Sequence, residues 1–380
     1  LVSQGFKNSF SKRLKRRFDG KVGSLGGAYT YQGMAHLGKT FWEVLEHHRV
    51  FVIFDEIHHC SGVTERDANS WGEEILTHIK GRATYTLALS GTPWRSDCSP
   101  IVLSNYTGEG RQINCDYRYS LSDAVKDKVC RSPKIVLTDN ERLRVSIDQE
   151  ETKEFTSIKD LLGESGIRYQ SIILDYNAIK HNLILGCQKL SQIRRHNPSA
   201  GGLVVASSVL HAEKILQILQ DELKQSAVSV SYKVANSPEM IEAFRDNDVE
   251  WIVSVGMVSE GTDIPRLQVC CHLSHIKTEL YFRQVLGRIL RVNPSSNQEA
   301  WLYTFAEPKL NQFANQIEQD LPEHNVVIRD ESYNRHAECR SIRDETQSTD
   351  NVSENNLVKE DFEMGCFQEM SGRGDFEKVS

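Results

Sequence analysis

Val52-Ile53-Phe54-Asp55-Glu56-Ile57-His58-His59 decides how this chain is read, because an apolar run of strand-forming residues ends abruptly in two carboxylates. Such a strand places its acids at the carboxyl edge of a sheet, where ligands of open α/β sheets bind. A carboxylate there can hold a hydrated magnesium ion, and a second can orient or deprotonate a water. Cleavage of a nucleoside triphosphate requires both. On these residues alone a strand ending in a solvated acidic turn is an equal competitor.

Two further segments shift the balance. Leu87-Ala88-Leu89-Ser90-Gly91-Thr92-Pro93 is another apolar strand, ending in small hydroxyl residues, and a helix-sized interval holding Trp71 to Lys80 separates it from the first. A β-α-β order of this kind sets both strand ends side by side on one edge. Far downstream, Tyr281-Phe282-Arg283-Gln284-Val285-Leu286-Gly287-Arg288-Ile289-Leu290-Arg291 spaces Gln284, Arg288 and Arg291 at i, i+4 and i+7. On a helix these share one face. Solvated arginines are the ordinary reading of such a face. Gly287, expected to interrupt the helix, and the apolar intervening positions favour a helix packed close to a neighbour with its guanidiniums aimed at an anion.

Together DEIH, SGTP, Val258-Ser259-Glu260-Gly261-Thr262-Asp263-Ile264-Pro265 and QVLGRILR resemble, in order, motifs II, III, V and VI of superfamily 2 DExH-box helicases. Trp71-Gly72, Pro93-Trp94-Arg95-Ser96-Asp97 and Asp116-Tyr117-Arg118-Tyr119 are similar to a bacterial and phage branch of that superfamily. The resemblance runs from about Gly26 to about Phe305 and implies an α/β chain of two RecA-like doubly wound parallel-sheet domains, the first incomplete. It implies ATP and Mg²⁺ as cofactors, with Asp55 holding the metal through water and Glu56 activating the attacking water. His58 would link the nucleotide to the opposite domain through Gln284, and Ser90 and Thr92 would couple hydrolysis to movement. Gly261 and Asp263 would approach the nucleotide, while Arg288 and Arg291 neutralise charge on the γ-phosphate, a contribution of roughly 10³ to 10⁵ in rate. Thr30, Tyr31, Ser207 and Ser208 would touch the nucleic-acid backbone, which positions a strand without reading its sequence. Asp127-Lys128 departs from the pattern, since close relatives tend to carry glycine there.

A phosphate-binding loop is also required, and Gly33-Met34-Ala35-His36-Leu37-Gly38-Lys39-Thr40 matches its G-x-x-x-x-G-K-[ST] pattern letter for letter. It reads as a chance match. Ala28-Tyr29-Thr30-Tyr31-Gln32 makes a poor buried strand, and the motif carries meaning only between a strand and a helix. The loop is therefore expected upstream of Leu1, in an amino-terminally truncated sequence.

The domain boundaries expected are 1–132 for the partial ATP-binding domain, 133–168 for a polar linker or excursion, 169–310 for the second RecA-like domain and 311–380 for an extension, disordered from about 341. Within the second, Tyr169 to Ile193 reads as one helix, Gly202 to Ser208 as a strand, His211 to Leu223 as a helix and Trp251 to Val255 as a strand. Lys12-Arg13-Leu14-Lys15-Arg16-Arg17 is read as a solvated face.

The 380 residues, 39% hydrophobic and 26% charged, suffice for two cores. No apolar run reaches membrane-spanning length and no signal peptide opens the chain, so a cytoplasmic protein without a membrane partner is expected. A net charge of -7 confines nucleic-acid contact to a local groove. The nine cysteines show no CxxC pair or zinc spacing, and His47-His48 and His58-His59 form no ligand set. Nucleic acid is the expected partner, DNA favoured over RNA. Two alternatives stay open: a DNA-translocating motor serving a restriction or defence complex with a nuclease elsewhere, and an inactive two-domain remnant that binds nucleic acid.

Overall fold

The structure, a computed structural model, describes residues 12–13, 15, 26–95, 97–107, 112–139, 143–147, 151–231, 233, 236–256, 263–293, 298–329 and 361–364. It divides into two units, residues 1–118 and 119–380. Each has its own apolar cluster.

In the first unit, strands β1 (Phe51–Phe54) and β2 (Tyr85–Ala88) pair in parallel, with Phe51 opposite Tyr85 and Phe54 opposite Ala88. The helix Ser70–His78 connects them. Its Ile75 packs with Trp42 and Leu45 of the helix Lys39–His47, and with Phe54 and Ile57, to form the core. A short antiparallel pair, β3 (Asn105–Thr107) and β4 (Gln112–Asn114), lies beyond. Phe51, Ile53, Tyr85, Leu87 and Leu89 stay exposed. Their period of two puts them on one sheet face, which nothing covers among the described residues.

The second unit carries strands β5 (Ser132–Thr138), β6 (Leu143–Ile147), β7 (Glu151–Phe155), β8 (Gly201–Ala206), β9 (Ala227–Ser231), β10 (Trp251–Val255), β11 (Leu267–Leu273), β12 (Glu299–Phe305), β13 (Val327–Arg329) and β14 (Asp361–Met364). Seven form one sheet in the order β13-β5-β12-β11-β8-β10-β9. Every pairing in it is parallel. The strands β8, β10 and β11 are buried along their whole length, as parallel strands covered by helices on both faces must be. This is a RecA-like α/β fold, as the motif order implied. Trp251 stands opposite Gly202 in the register. A methyl group at position 202 would overlap the indole, so glycine there makes room for the largest buried side chain of the core.

Several expected elements differ. The helix expected over 169–193 is two helices, Tyr169–Leu174 and Tyr176–Arg194, because Asp175 leaves helical backbone and its carboxylate accepts from Ala178 N at 2.8 Å to cap the second. The helix expected from His211 to Leu223 is Val209–Gln217 followed by a π turn over Ile218–Glu222. The expected linker 133–168 is drawn into the fold: β5 lies between β13 and β12, with Ile135, Val136 and Leu137 buried, and β6 and β7 form an antiparallel pair followed by the helix Ile158–Glu164. Nor does the sheet stop at 310, since Leu310, Ala314 and Ile317 of the helix Pro308–Asp320 are buried and β13 pairs with β5. The tail expected to be disordered from about 341 lies outside the described residues, except Asp361–Met364, which pairs with β6 as an antiparallel strand. Among the described residues no helix is long and apolar enough to cross a membrane.

Candidate functional site

At the end of β1 the chain turns sharply. Glu56 adopts φ 51° and ψ 46°, the left-handed region, which costs a non-glycine residue roughly 1–2 kcal/mol. The turn opens the one-turn helix Ile57–His59, and Ile57 N donates to Leu89 O at 3.0 Å, so the acidic loop is stitched to the end of β2. The exposed Asp55 carboxylate has no hydrogen bond or ion pair among the described residues, while its backbone carbonyl accepts from the Tyr31 hydroxyl at 2.6 Å.

His58 is the hub of this loop. Buried, its Nδ1 lies 2.9 Å from Ser90 Oγ, 3.2 Å from Glu56 Oε2 and 3.4 Å from Thr92 Oγ1. Thr92 N donates to Ser90 Oγ at 3.1 Å, closing the circuit. The hydrogen bond to His58 holds the Glu56 carboxyl below its ordinary range, against partial burial that would raise it. His58 Nε2 is buried without a hydrogen bond among the described residues. Asp55, Glu56, His58, Ser90 and Thr92 are thus brought together on one strand edge.

A supporting ring surrounds them. Arg95 Nη1 donates to His58 O at 2.6 Å while Asp97 grips the other side of the guanidinium, and Arg95 in turn drives the Asp97 pKa down to about 2. Asn69 Oδ1 accepts from Ser61 N and Gly72 N, and its Nδ2 donates to His59 O at 2.7 Å. Trp71 stacks on Tyr31 with 5.9 Å between ring centroids. At position 72 a side chain would overlap the Ser61 carbonyl oxygen. Gly72→Ala is therefore expected to destabilise this unit by about 1–3 kcal/mol, as overpacking does. Chemical denaturation checks it, and an unchanged midpoint would refute the close-approach explanation.

Thr30 caps the short helix Tyr31–Met34 by accepting from Gly33 N at 3.1 Å. Its hydroxyl and that of Tyr31 are thus turned to the fold itself, in addition to any strand contact. The pattern Gly33–Thr40 is not built as a phosphate loop. Residues 26–30 form no strand, and His36 N and Leu37 N, amides a loop would offer to phosphates, are bonded to Gly33 O and Met34 O. Gly38 has φ −74° with open space around it, so neither conformation nor close approach calls for glycine. Lys39 does stand at the first position of a helix.

In the second unit, Gln284 and Arg288 lie on the helix Glu279–Ile289, whose Phe282, Val285, Leu286 and Ile289 are buried. Two expectations are corrected here. Gly287 does not interrupt the helix, and it is exposed with open space at its Cβ position. Arg291 is not on the helical face: the helix ends before it, and Arg291 is placed by an antiparallel bridge to Cys130 and an ion pair with Asp263. Arg245, missed in the sequence, donates to the Asp263 carbonyl through Nε at 2.7 Å. Gly261 lies outside the described residues. Ser208 caps the helix Val209–Gln217 by accepting from His211 N at 3.2 Å, and Ser207 N and Oγ both meet His211 Nδ1. Burial, with a smaller contribution from Lys214, pushes His211 down to about 4, so it is a neutral partner in this turn. Among the described residues no group of three or more His, Cys, Asp or Glu side chains is arranged to hold a metal.

The model of the helicase conserved C-terminal domain matches residues 186–293. This stretch is similar to helicase C-terminal domains. The helicase match begins inside the helix Tyr176–Arg194 and ends just past Arg291, so it takes in Ser207, Ser208, Asp263, Gln284 and Arg288. An uncharacterised protein of Mycobacterium leprae is 32% identical over 279 residues, 72% of this chain and 45% of that protein. The DNA 3'-5' translocase XPB2 of Sulfurisphaera tokodaii is 24% identical over 273 residues, 63% of this chain and 55% of that protein. The chain spans about half the length of these relatives. Among solved structures, a fragment assigned to the HsdR subunit of a type I restriction enzyme from Vibrio vulnificus aligns with TM-score 0.48 and 14% identity over 73% of this chain and 47% of that one.

Proposed function

We propose that this chain is part of an ATP-driven nucleic-acid translocase or helicase. In this reading the acids of the first unit and the arginines of the second both serve triphosphate hydrolysis, and DNA is the track. The observation that carries it is the His58 hub: one buried imidazole joins Glu56 to Ser90 and Thr92 while Asp55 stays exposed and unpartnered among the described residues. Such an arrangement lets a change at the Glu56 carboxylate reach a second loop, which is what coupling hydrolysis to movement needs.

Asp55 fits a hydrated magnesium ion, since its carboxylate is solvent-facing and uncommitted at the carboxyl end of a strand. A bound magnesium ion would supply charge neutralisation on the phosphates. Glu56, kept ionised by His58, holds the attacking water and takes its proton. Arg291 and Arg288 stabilise charge on the transferred group.

The test is ATP hydrolysis by the full-length protein with and without single-stranded DNA, duplex DNA and RNA. Magnesium-dependent turnover stimulated by DNA is expected. Failure with every nucleic acid tried would sink the motor reading and favour a binding scaffold; translocation without strand separation, with a nuclease co-purifying, would place it in a restriction or defence complex.

A further inference from the structure

Arg131 is 0% exposed, yet no carboxylate pairs with it among the described residues. Its Nη1 donates to Leu267 O at 2.6 Å and Ile289 O at 3.0 Å, and Nη2 donates to Pro265 O at 3.1 Å. Its backbone N–H donates to Leu290 O at 2.6 Å, and the preceding Cys130 is bridged to Arg291. Nε is buried without a hydrogen bond. Burial lowers the guanidinium to about 10, which leaves it charged at neutral pH.

A buried cation without a counter-ion is a poor stabiliser, because its desolvation costs several kcal/mol, roughly, and an apolar side chain of similar volume avoids that cost. Part of the cost is offset because Ile289 O and Leu290 O belong to the last turn of the helix Glu279–Ile289, where carbonyls lack helical partners and the dipole is negative. What the guanidinium adds is geometry. Its planar fork fixes carbonyls from two separate segments at once, which a lysine's point charge does not.

Those two segments are the ones that carry the active arginine and its partner. Pro265–Leu267 directly follows Asp263 and Ile264, and Ile289–Leu290 directly precedes Arg291, which pairs with Asp263. Arg131 also sits where the chain, having left the first unit at Arg118, enters the large sheet at β5. We propose that Arg131 is a positioning residue that clamps the Pro265–Leu267 and Ile289–Leu290 backbones in register, so that Arg291 is set for the γ-phosphate. This rests on the proposed ATPase reading.

The experiment compares Arg131→Met and Arg131→Lys with the wild type in the full-length protein. For Arg131→Met, kcat of DNA-stimulated ATP hydrolysis should fall about 100-fold, the cost of roughly 1 Å of misplacement. KM for ATP and DNA affinity should stay within about twofold, the signature of an interaction made only in the transition state. Arg131→Lys should recover part of kcat. In both variants, hydrogen exchange should speed up together at Arg266–Leu267 and Arg291–Val292 and stay unchanged in β8 and β10. If the methionine variant does not fold, the lysine variant is judged by the same split. A folded variant with full kcat, or losses shared equally by kcat, binding and exchange across all strands, overturns the proposal. If the wild type hydrolyses no ATP, the functional reading falls, and unchanged exchange at the two segments would overturn the clamp independently.

Discussion

Arg291→Ala in the full-length protein is expected to lower DNA-stimulated ATP turnover by about 10³-fold or more, the range for a residue that neutralises charge on the transferred phosphoryl group. The expectation rests on how Arg291 is held. Its backbone is fixed by the bridge to Cys130, whereas its side chain is engaged by Asp263, an exposed carboxylate. An ion pair this open to solvent is worth about 0–1 kcal/mol, so it orients the guanidinium without trapping it. A phosphate offers a charge-assisted, bidentate partner and wins the exchange. DNA affinity should be unaffected. A silent Arg291→Ala, assayed at saturating ATP and DNA, would remove the arginine from the mechanism, and with it the main link between the second unit and hydrolysis.

Asp263 makes contacts that its motif position did not announce. It pairs with Arg291, and Arg245 secures its main chain. None of this was legible from spacing. Arg245 and Arg131 are isolated arginines in ordinary surroundings, and their importance comes from which carbonyls the fold carries to them.

The large parallel sheet was legible, because Gly202 to Ala206 is apolar without alternation and Trp251 to Val255 is broken only by Ser254, the pattern of strands buried on both faces. β5 was hidden by its surroundings: Ile135-Val136-Leu137 is a short apolar run set among polar residues, and length alone does not separate such a run from a loop. The long helix was misread at Asp175 for a related reason. Its apolar period continues across the break, and the aspartate is as compatible with a helix surface as with the cap it forms. Of the site, the acids and hydroxyls were readable as strand ends. That His58 binds them was not, since Glu56 reaches His58 only through a left-handed backbone that no residue preference announces.

That left-handed turn sets up the second large effect. Glu56→Gln is expected to reduce turnover by about 10²- to 10⁴-fold, the usual contribution of a positioned general base, with ATP and DNA binding retained. Glutamine keeps the length and can still bond to His58, but it cannot take a proton from water. Glu56→Gly separates chemistry from fold. Glycine adopts φ near 51° without the penalty of roughly 1–2 kcal/mol carried by an L side chain, though it gives back about 0.5–1 kcal/mol in unfolded-chain entropy. The glycine variant should therefore be as inactive as glutamine while melting no lower than the wild type. Strain held at an acid whose replacement does not harm stability is strain kept for the geometry of the site. A glycine variant that melts well below the wild type would show instead that the Glu56–His58 contact is a structural tie, and a Glu56→Gln variant with undiminished turnover would take the water-activating role away from Glu56 altogether.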